Sequence, residues 1–206
     1  MNLFDFIGSA VCHQMAERSF IWGDLQSPVC ARCTGIEAGL LFGTVFFLLA
    51  GRQKGNRPFS FGSSLLAGLS FLPIAVDGVG SYLGFWASNN LLRVVTGAMA
   101  GYGLPGLFLL AANFQPGQRN DSPIYARLWE QAGLLALTLV YGLLVWLGWL
   151  PYGTVAVITA LGVICFYGGF VFLLLRLLAG KREWPFLRLS ALGGLCLVCL
   201  MGGLVG

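Results

Sequence analysis

Six long apolar stretches constrain this chain more than any other feature of its sequence. Each is close to the ~20 residues that an α-helix needs to cross the hydrocarbon core of a bilayer. Polar and turn-forming residues separate them. The pattern predicts an all-α fold, a polytopic membrane helical bundle with about six transmembrane helices. The stretches cover residues 34–50, 61–86, 91–112, 132–150, 155–175 and 189–205.

The composition excludes the soluble alternative. Hydrophobic residues make up 57% of the chain and charged residues only 10%, whereas a soluble domain carries about 25% charged residues. A soluble protein of this composition would expose far more apolar surface than monomers tolerate. The net charge of +4 comes from basic residues scattered along the chain, so no nucleic-acid partner is expected.

The basic residues predict an orientation in the membrane, because cytoplasmic loops are enriched in Lys and Arg. Alternating six helices puts nine of the 12 basic residues on one side, which we assign to the cytoplasm. Both termini are then extracytoplasmic. The nine are Arg52, Lys54, Arg57, Arg119, Arg127, Arg176, Lys181, Arg182 and Arg188; Arg18, Arg32 and Arg93 lie opposite.

Four regions are expected along the chain. Residues 1–33 form an extracytoplasmic amino-terminal segment, too polar to span, in which Leu3 to Val11 favour a short interfacial helix anchored by Phe20 and Trp22. Residues 34–112 form a three-helix core, 113–127 a cytoplasmic loop, and 128–206 three further transmembrane helices.

The amino-terminal segment holds the residues most suited to chemistry. Cys12, His13, Cys30 and Cys33 bring three thiols and the only histidine of the chain into one short stretch. Three sulfurs and one imidazole complete a tetrahedral zinc shell. The same residues suit thiol redox chemistry, with Cys30 and Cys33 as the reacting pair and Cys12 as the exchange partner. A structural disulfide is the third reading, because an extracytoplasmic compartment is oxidising.

Ionisable residues inside the apolar stretches form a second group. Such residues are costly in a bilayer, so they usually face a partner or a polar cavity. Asp77 and Arg93 fall near the same end of neighbouring helices, and an ion pair between them is the simplest arrangement. As a ligand site, Asp77 and Arg93 would bind a cofactor, with Arg93 on an anionic headgroup or a quinone oxygen. Glu37 follows Cys33 by one helical turn and shares its face.

Several blocks of sequence resemble one family. Cys12-His13-Gln14, Glu17-Arg18-Ser19-Phe20, the run from Pro28 to Gly35, Asp77-Gly78, and Asn90-x-x-Arg93-x-x-Thr96-Gly97 occur in the order found in a family of bacterial and archaeal polytopic membrane proteins, catalogued as a domain of unknown function. The resemblance covers residues 12–106 and implies a location in a bacterial or archaeal cell membrane. It implies no activity, and the last three helices lie outside it.

Three functions remain open on the sequence. The chain binds a metal, most simply zinc, through the Cys/His cluster; or it is a thiol-disulfide oxidoreductase that uses a membrane quinone; or it is a non-catalytic subunit of a larger membrane complex. Glycine-rich helix faces, with Gly35, Gly39 and Gly43 at four-residue spacing, permit either internal packing or contact with a membrane partner. No P-loop or serine nucleophile motif is present, so nucleotide hydrolysis and common hydrolase chemistry are not expected.

Overall fold

The architecture is a bundle of membrane-length helices with a small β-hairpin at one end. A computed structural model describes residues 2–179 and 186–205. The helices are α1 (Leu3–Ser9), α2 (Ala31–Leu49), α3 (Phe61–Tyr82), α4 (Asn90–Gly101), α5 (Leu104–Asn113), α6 (Leu128–Trp146), α7 (Tyr152–Ala179) and α8 (Phe186–Val205); the strands are β1 (Ser19–Trp22) and β2 (Leu25–Cys30).

The predicted membrane bundle is confirmed. Among the described residues, five segments are long and apolar enough to cross a bilayer. They coincide with the first five predicted stretches, and the sixth stretch lies within α8. The predicted loop with Lys181 and Arg182 lies outside the described residues. The five segments are Ala31–Leu49, Phe61–Tyr82, Asn90–Asn113, Leu128–Trp146 and Tyr152–Leu178.

The third membrane segment is broken into two helices, which the sequence analysis did not predict. α4 ends at Gly101, and α5 begins at Leu104 with Pro105 in its first turn. Proline lacks an N–H donor and is best accommodated at the start of a helix. The break is filled by the fully buried ring of Tyr102, whose hydroxyl lies 3.1 Å from Ser70 Oγ.

Glycines let α2 and α4 approach until their backbones touch. A Cβ on Gly35 would lie 2.3 Å from the carbonyl oxygen of Val94, and a Cβ on Gly97 would lie 2.1 Å from that of Arg32. Any side chain at these positions would force the helices apart. The glycine-rich faces of α2 and α4 therefore pack against each other within the chain.

The β-hairpin is a feature that the sequence analysis missed. β1 and β2 pair antiparallel, with Trp22 opposite Leu25. Gly23 occupies the turn at φ +60°, a conformation that glycine adopts without strain. A Gly-Asp pair between two strand-forming runs is a recognised hairpin signal, so Gly23-Asp24 could have revealed it.

The amino-terminal segment packs on protein more than the interfacial model expected. The predicted short helix is present as α1, but Ile7, Ala10 and Val11 pack against Val163 of α7 and Val198 of α8. Trp22 also contacts protein: its indole N–H donates to the carbonyl of Leu150 at 3.0 Å. These contacts fix the hairpin and α1 to the end of the bundle where α2 begins, which we name the thiol end after Cys12, Cys30 and Cys33.

The opposite end of the bundle is built from two interlocked loops, residues 50–60 and 114–127. Backbone N–H groups of Asn56 and Arg57 both donate to the carbonyl of Ser122, at 3.0 and 2.9 Å. Arg52 binds Glu130 through two hydrogen bonds of 2.5 and 2.9 Å. Sequence analysis did not foresee this pairing. We name this the basic-loop end.

Candidate functional site

Cys12 is placed by the turn that follows α1. The Cys12 backbone N–H donates to the carbonyl of Gly8 at 3.0 Å. Gly8 in turn lies directly on β2, since a Cβ there would be 2.0 Å from the carbonyl oxygen of Pro28. Only a residue without a side chain permits this approach. The packing brings the chain at Cys12 next to the end of β2, where Cys30 is located.

The side chain of Gln14 holds the segment that carries Cys12 in place through hydrogen bonds. It has a left-handed backbone with φ 52°. Its side-chain amide donates to the carbonyl of Asp5 at 2.6 Å and to that of Pro28 at 2.8 Å. Gln14 therefore ties α1 to β2. In the sequence, Gln14 stands out only as part of the Cys12-His13-Gln14 block, which predicts no role for it.

Cys30 and Cys33 sit at the junction of strand and helix. Cys30 is the last residue of β2 and the amino-terminal cap of α2, and Cys33 follows in the first helical turn. A helix turn brings residues three apart onto one face, so both side chains of this Cys-x-x-Cys pair face the same region. The sharp change from strand to helix is what sets their spacing.

The three thiols meet at one place. The Sγ atoms of Cys12, Cys30 and Cys33 all lie within 4.8 Å of one another, and each residue is half-buried. Two backbone N–H groups point at the Cys12 sulfur: that of Cys30 at 3.2 Å and that of Gln14 at 3.4 Å. Hydrogen bonds of this kind stabilise negative charge on a sulfur ligand.

Hydrogen bonds among the three sulfurs favour a thiolate on Cys30. The pKa of Cys30 is lowered because the side chains of Cys12 and Cys33 hydrogen-bond to its sulfur. The pKa of Cys12 is raised, chiefly because its thiol donates that bond to Cys30. Metal ligation and disulfide exchange both require thiolate, so the arrangement suits either chemistry.

His13 stays apart from the thiols. Its side chain is exposed, and the group of potential ligands contains the three cysteines without it. The backbone turns into the left-handed conformation at Gln14, and Gln14, not His13, is the side chain that points into the packed segment. Of the four predicted ligands, the structure therefore brings together three.

Asp77 forms its ion pair with Arg32, so the pairing of Asp77 with Arg93 expected from the sequence is wrong. The Arg32 guanidinium donates to the Asp77 carboxylate, which is only 3% exposed. The indole N–H of Trp86 approaches the other oxygen at 3.5 Å. Gly97 allows α4 to approach the start of α2, where Arg32 is located. Gly78 leaves room beside the Arg32 guanidinium.

Arg93 is left without a salt bridge within the described part of the chain. Its side chain is half-buried, and its Nε atom is buried with no hydrogen-bond partner. The guanidinium is repelled by Arg18 and Arg32 and attracted by Cys30 and Asp77. A half-buried cation beside the thiol cluster is an attachment point for an anionic group.

Glu37 is buried in the bundle one turn beyond Cys33. It is 4% exposed, and Oε2 has no hydrogen-bond partner. Its backbone touches α7, because a Cβ on Gly162 would lie 2.3 Å from the Glu37 carbonyl oxygen. The other cysteines, Cys165, Cys196 and Cys199, lie outside the thiol group.

Comparison with known proteins gives a family and no activity. A family described as "Predicted membrane protein (DUF2085)" matches residues 12–107. The chain is similar to an uncharacterised protein of Methanocaldococcus jannaschii, 36% identical over 94 residues that cover 46% of this chain and 58% of the relative. It is also similar to an uncharacterised protein of Methanothermobacter thermautotrophicus, 38% identical over 94 residues that cover 46% of this chain and 80% of the relative. No solved structure matches the chain.

Proposed function

Because the chain belongs to this family of membrane proteins, it resides in the lipid bilayer, and we propose that it binds a metal ion through Cys12, Cys30 and Cys33. Zinc is the metal that fits this donor set best, since sulfur-rich tetrahedral sites are typical of it. The observation that carries the proposal is the convergence of three sulfurs within 4.8 Å from two separate parts of the segment.

The spacing of the sulfurs supports a metal more than an accidental contact. Tetrahedral zinc with Zn–S bonds near 2.3 Å requires sulfurs about 3.8 Å apart. The observed limit of 4.8 Å needs only small side-chain movements to reach that geometry. The N–H donors on the Cys12 sulfur supply the outer hydrogen bonds that orient metal ligands.

The fourth ligand distinguishes two kinds of site. His13 adjoins Cys12 and would close the shell if its exposed ring turned inward. A closed shell of four protein ligands is structural. If His13 stays outside, the fourth position belongs to water or to a bound substrate, as in catalytic metal sites.

Elemental analysis of protein purified without chelator tests the proposal. We expect about one metal per chain, lost in Cys12→Ser, Cys30→Ser and Cys33→Ser. Cys165→Ser and Cys196→Ser are matched controls that should retain it. Loss of metal in His13→Ala would identify a structural site, and retention an open one. Wild-type protein without stoichiometric metal would contradict the proposal.

Thiol-disulfide exchange is the second candidate, favoured by the lowered pKa of Cys30 and by the presence of a third thiol. Oxidation of Cys30 and Cys33 to a disulfide releases two electrons and two protons, which a membrane quinone would accept to become a quinol. Cys12 would exchange with the disulfide. This reading expects Cys33→Ser to accumulate a mixed disulfide and the wild type to hold no stoichiometric metal.

Arg93 and Asp77 would serve the same site in different ways. Arg93 would bind an anionic group of a ligand, or a quinone oxygen, beside Cys30. Asp77 would act as a positioning residue, because it holds Arg32 at the start of α2 next to Cys33. Arg93→Gln should then lower the amount of quinone or anionic lipid that copurifies with the protein, without loss of metal or of folded protein. Arg93→Lys should restore part of that amount. An unchanged amount of copurified quinone and lipid in Arg93→Gln would oppose this role.

A further inference from the structure

A polar cavity of about 320 Å³ lies at the basic-loop end, on the opposite side of the bundle from the thiol cluster. Arg57 and Arg127 line it, and the described lining residues include no Asp or Glu. Its volume is at the lower end of the range for small-molecule sites. Two arginines around a cavity without a counter-charge indicate an anionic ligand.

The walls of the cavity are fixed before any ligand arrives. The Arg57 backbone donates to Ser122, and residues 57 and 123 form an isolated parallel bridge. The side-chain amide of Asn113 donates to the carbonyls of Gln53 and Gly55 at 2.9 and 3.1 Å. Glu130, an acid in the first turn of α6, is paired with Arg52. Preorganised walls reduce the entropy that binding would otherwise cost.

Hydrogen-bond donors add to the two guanidinium groups. The cavity is lined by Ser60 and Arg127, the caps from which α3 and α6 begin. The first N–H groups of an α-helix favour phosphate oxygens; here the Ser63 N–H already binds Ser60 Oγ, and the Ala126 N–H binds the Glu130 carboxylate. Tyr125 also lines the cavity, and its hydroxyl is buried beside Gly106 of α5.

Exposed apolar side chains flank the cavity. Leu128 lines it and is 49% exposed, and the neighbouring Phe61 and Trp129 are 86% and 65% exposed. These side chains begin the apolar surfaces of α3 and α6, along which acyl chains would lie. A soluble anion would gain nothing from such a rim, whereas a phospholipid would use both the polar cavity and the apolar surface.

We propose that this cavity binds the phosphate headgroup of an anionic phospholipid, held by Arg57 and Arg127. Basic pockets between transmembrane helices on the cytoplasmic side are typical sites for such headgroups. The distribution of Lys and Arg predicts that this end faces the cytoplasm. The proposal is independent of what the thiol cluster binds.

Native mass spectrometry of the detergent-solubilised chain, titrated with phosphatidylglycerol, tests the proposal. We expect saturable binding of one phosphatidylglycerol, with weaker binding of the zwitterionic phosphatidylcholine. In the double variant Arg57→Gln with Arg127→Gln, affinity should fall about 30-fold, since each basic side chain contributes about a factor of five near an anionic headgroup. Both arginines are exposed, so the variant is expected to fold, which its melting temperature would verify.

Arg119→Gln is the matched control, because Arg119 is exposed, lies in the same loop as Arg127 and does not line the cavity. It should bind phosphatidylglycerol like the wild type. Equal losses in Arg119→Gln and the double variant, or no loss in either, would overturn the proposal. Displacement of the lipid by millimolar inorganic phosphate would overturn the lipid assignment in favour of a soluble anion. If the double variant fails to fold, Arg57→Lys with Arg127→Lys supplies the same comparison, with a smaller expected loss.

Discussion

At the scale of single residues, the chemistry of the thiol end depends on which group holds charge and which group holds a proton. Three sulfurs share one site, and hydrogen bonds from two thiols favour the thiolate on Cys30. Nearby, one carboxylate, Asp77, is satisfied by Arg32, and the second guanidinium, Arg93, has no salt bridge among the described residues. The site therefore offers a nucleophilic or ligating sulfur beside an unpaired cation.

The lowered pKa of Cys30 predicts unusual reactivity in metal-free protein. Because the thiolate is the nucleophile, iodoacetamide should modify Cys30 at about pH 6, where ordinary thiols with a pKa of about 8.5 are protonated. Cys12→Ala removes a donor and should move the rate profile of Cys30 to higher pH. Cys165→Ser should leave that profile unchanged. Mass spectrometry of the modified peptide gives the rate, and a wild-type profile that rises only above about pH 8 would contradict the prediction.

The same shift predicts how stability varies with pH in metal-free protein. The folded state depresses the pKa of Cys30 below its ordinary value. The stabilisation is therefore fully present above that ordinary value and is lost as pH falls through the folded value. We expect the melting temperature of metal-free wild type to fall on acidification more steeply than that of Cys30→Ser. Parallel curves for the two proteins would show that Cys30 does not supply this dependence.

The Arg32–Asp77 pair makes a prediction about folding. Removing one member of a buried pair typically costs about 3–5 kcal/mol, whereas removing both can be nearly neutral. Arg32 is 26% exposed, so we expect Asp77→Asn to fall at the low end of that range. Arg32→Gln with Asp77→Asn should recover most of the loss of melting temperature in detergent, and Arg93→Gln alone should change it little. A larger loss in Arg93→Gln than in Arg32→Gln would restore the pairing expected from the sequence.

Residue types predicted the cluster well and its partners poorly. Cys12, Cys30 and Cys33 stand out because thiols are rare and closely spaced in the sequence. The ion pair was misassigned because Asp77 and Arg93 are close along the chain, while Arg32 reaches Asp77 only because α2 and α3 both pack on α4. His13 was included for its chemistry, but the backbone at Gln14 decides which side chain turns inward.

At the scale of elements, the length of the apolar runs predicts the helices, and small residues decide how they pack. The five described membrane segments needed only length and hydropathy to be found. The break between α4 and α5 and the β-hairpin were missed, because each depends on one or two residues, Pro105 in one case and Gly23 in the other, inside otherwise continuous runs. Side-chain volume at the α2–α4 contact then determines where Arg32 and Cys33 lie.

Gly97 gives the test at this scale. In Gly97→Ala a Cβ would lie 2.1 Å from the Arg32 carbonyl oxygen, so α4 must move away from α2. We expect a lower melting temperature and weaker metal retention, because Cys33 follows Arg32 in the displaced turn. Gly133→Ala is the matched control: no atom lies within 4 Å of a Cβ there, and Ala is favoured over Gly in a helix by roughly 0.5–1 kcal/mol. Equal destabilisation by both changes would show that the α2–α4 contact is not tight.

At the scale of the whole molecule, the two ends of the bundle differ in chemistry. One end carries the thiols and Arg93, and the other carries the interlocked loops with Arg52, Arg57 and Arg127. The sequence predicts which end faces the cytoplasm from the distribution of basic residues, but helix packing alone is the same in either orientation. Orientation is therefore a property of the chain in its membrane and must be measured there.

Labelling of intact cells with a membrane-impermeant thiol reagent measures it. The loop before α4 and the loop between α5 and α6 lie at opposite ends of a membrane-length segment, so a cysteine in each should react from opposite sides. Ala87 is exposed and suits the first loop, whereas Asn89 caps α4 through a 2.8 Å bond from Leu92 and should be kept. With nine of 12 basic residues in the cytoplasm, Ala87→Cys should be labelled above the wild-type background and Gln118→Cys should be labelled only after the cells are opened. The reverse pattern would invert the orientation, placing the thiol cluster in the cytoplasm, and labelling of both in intact cells would contradict a membrane segment between them.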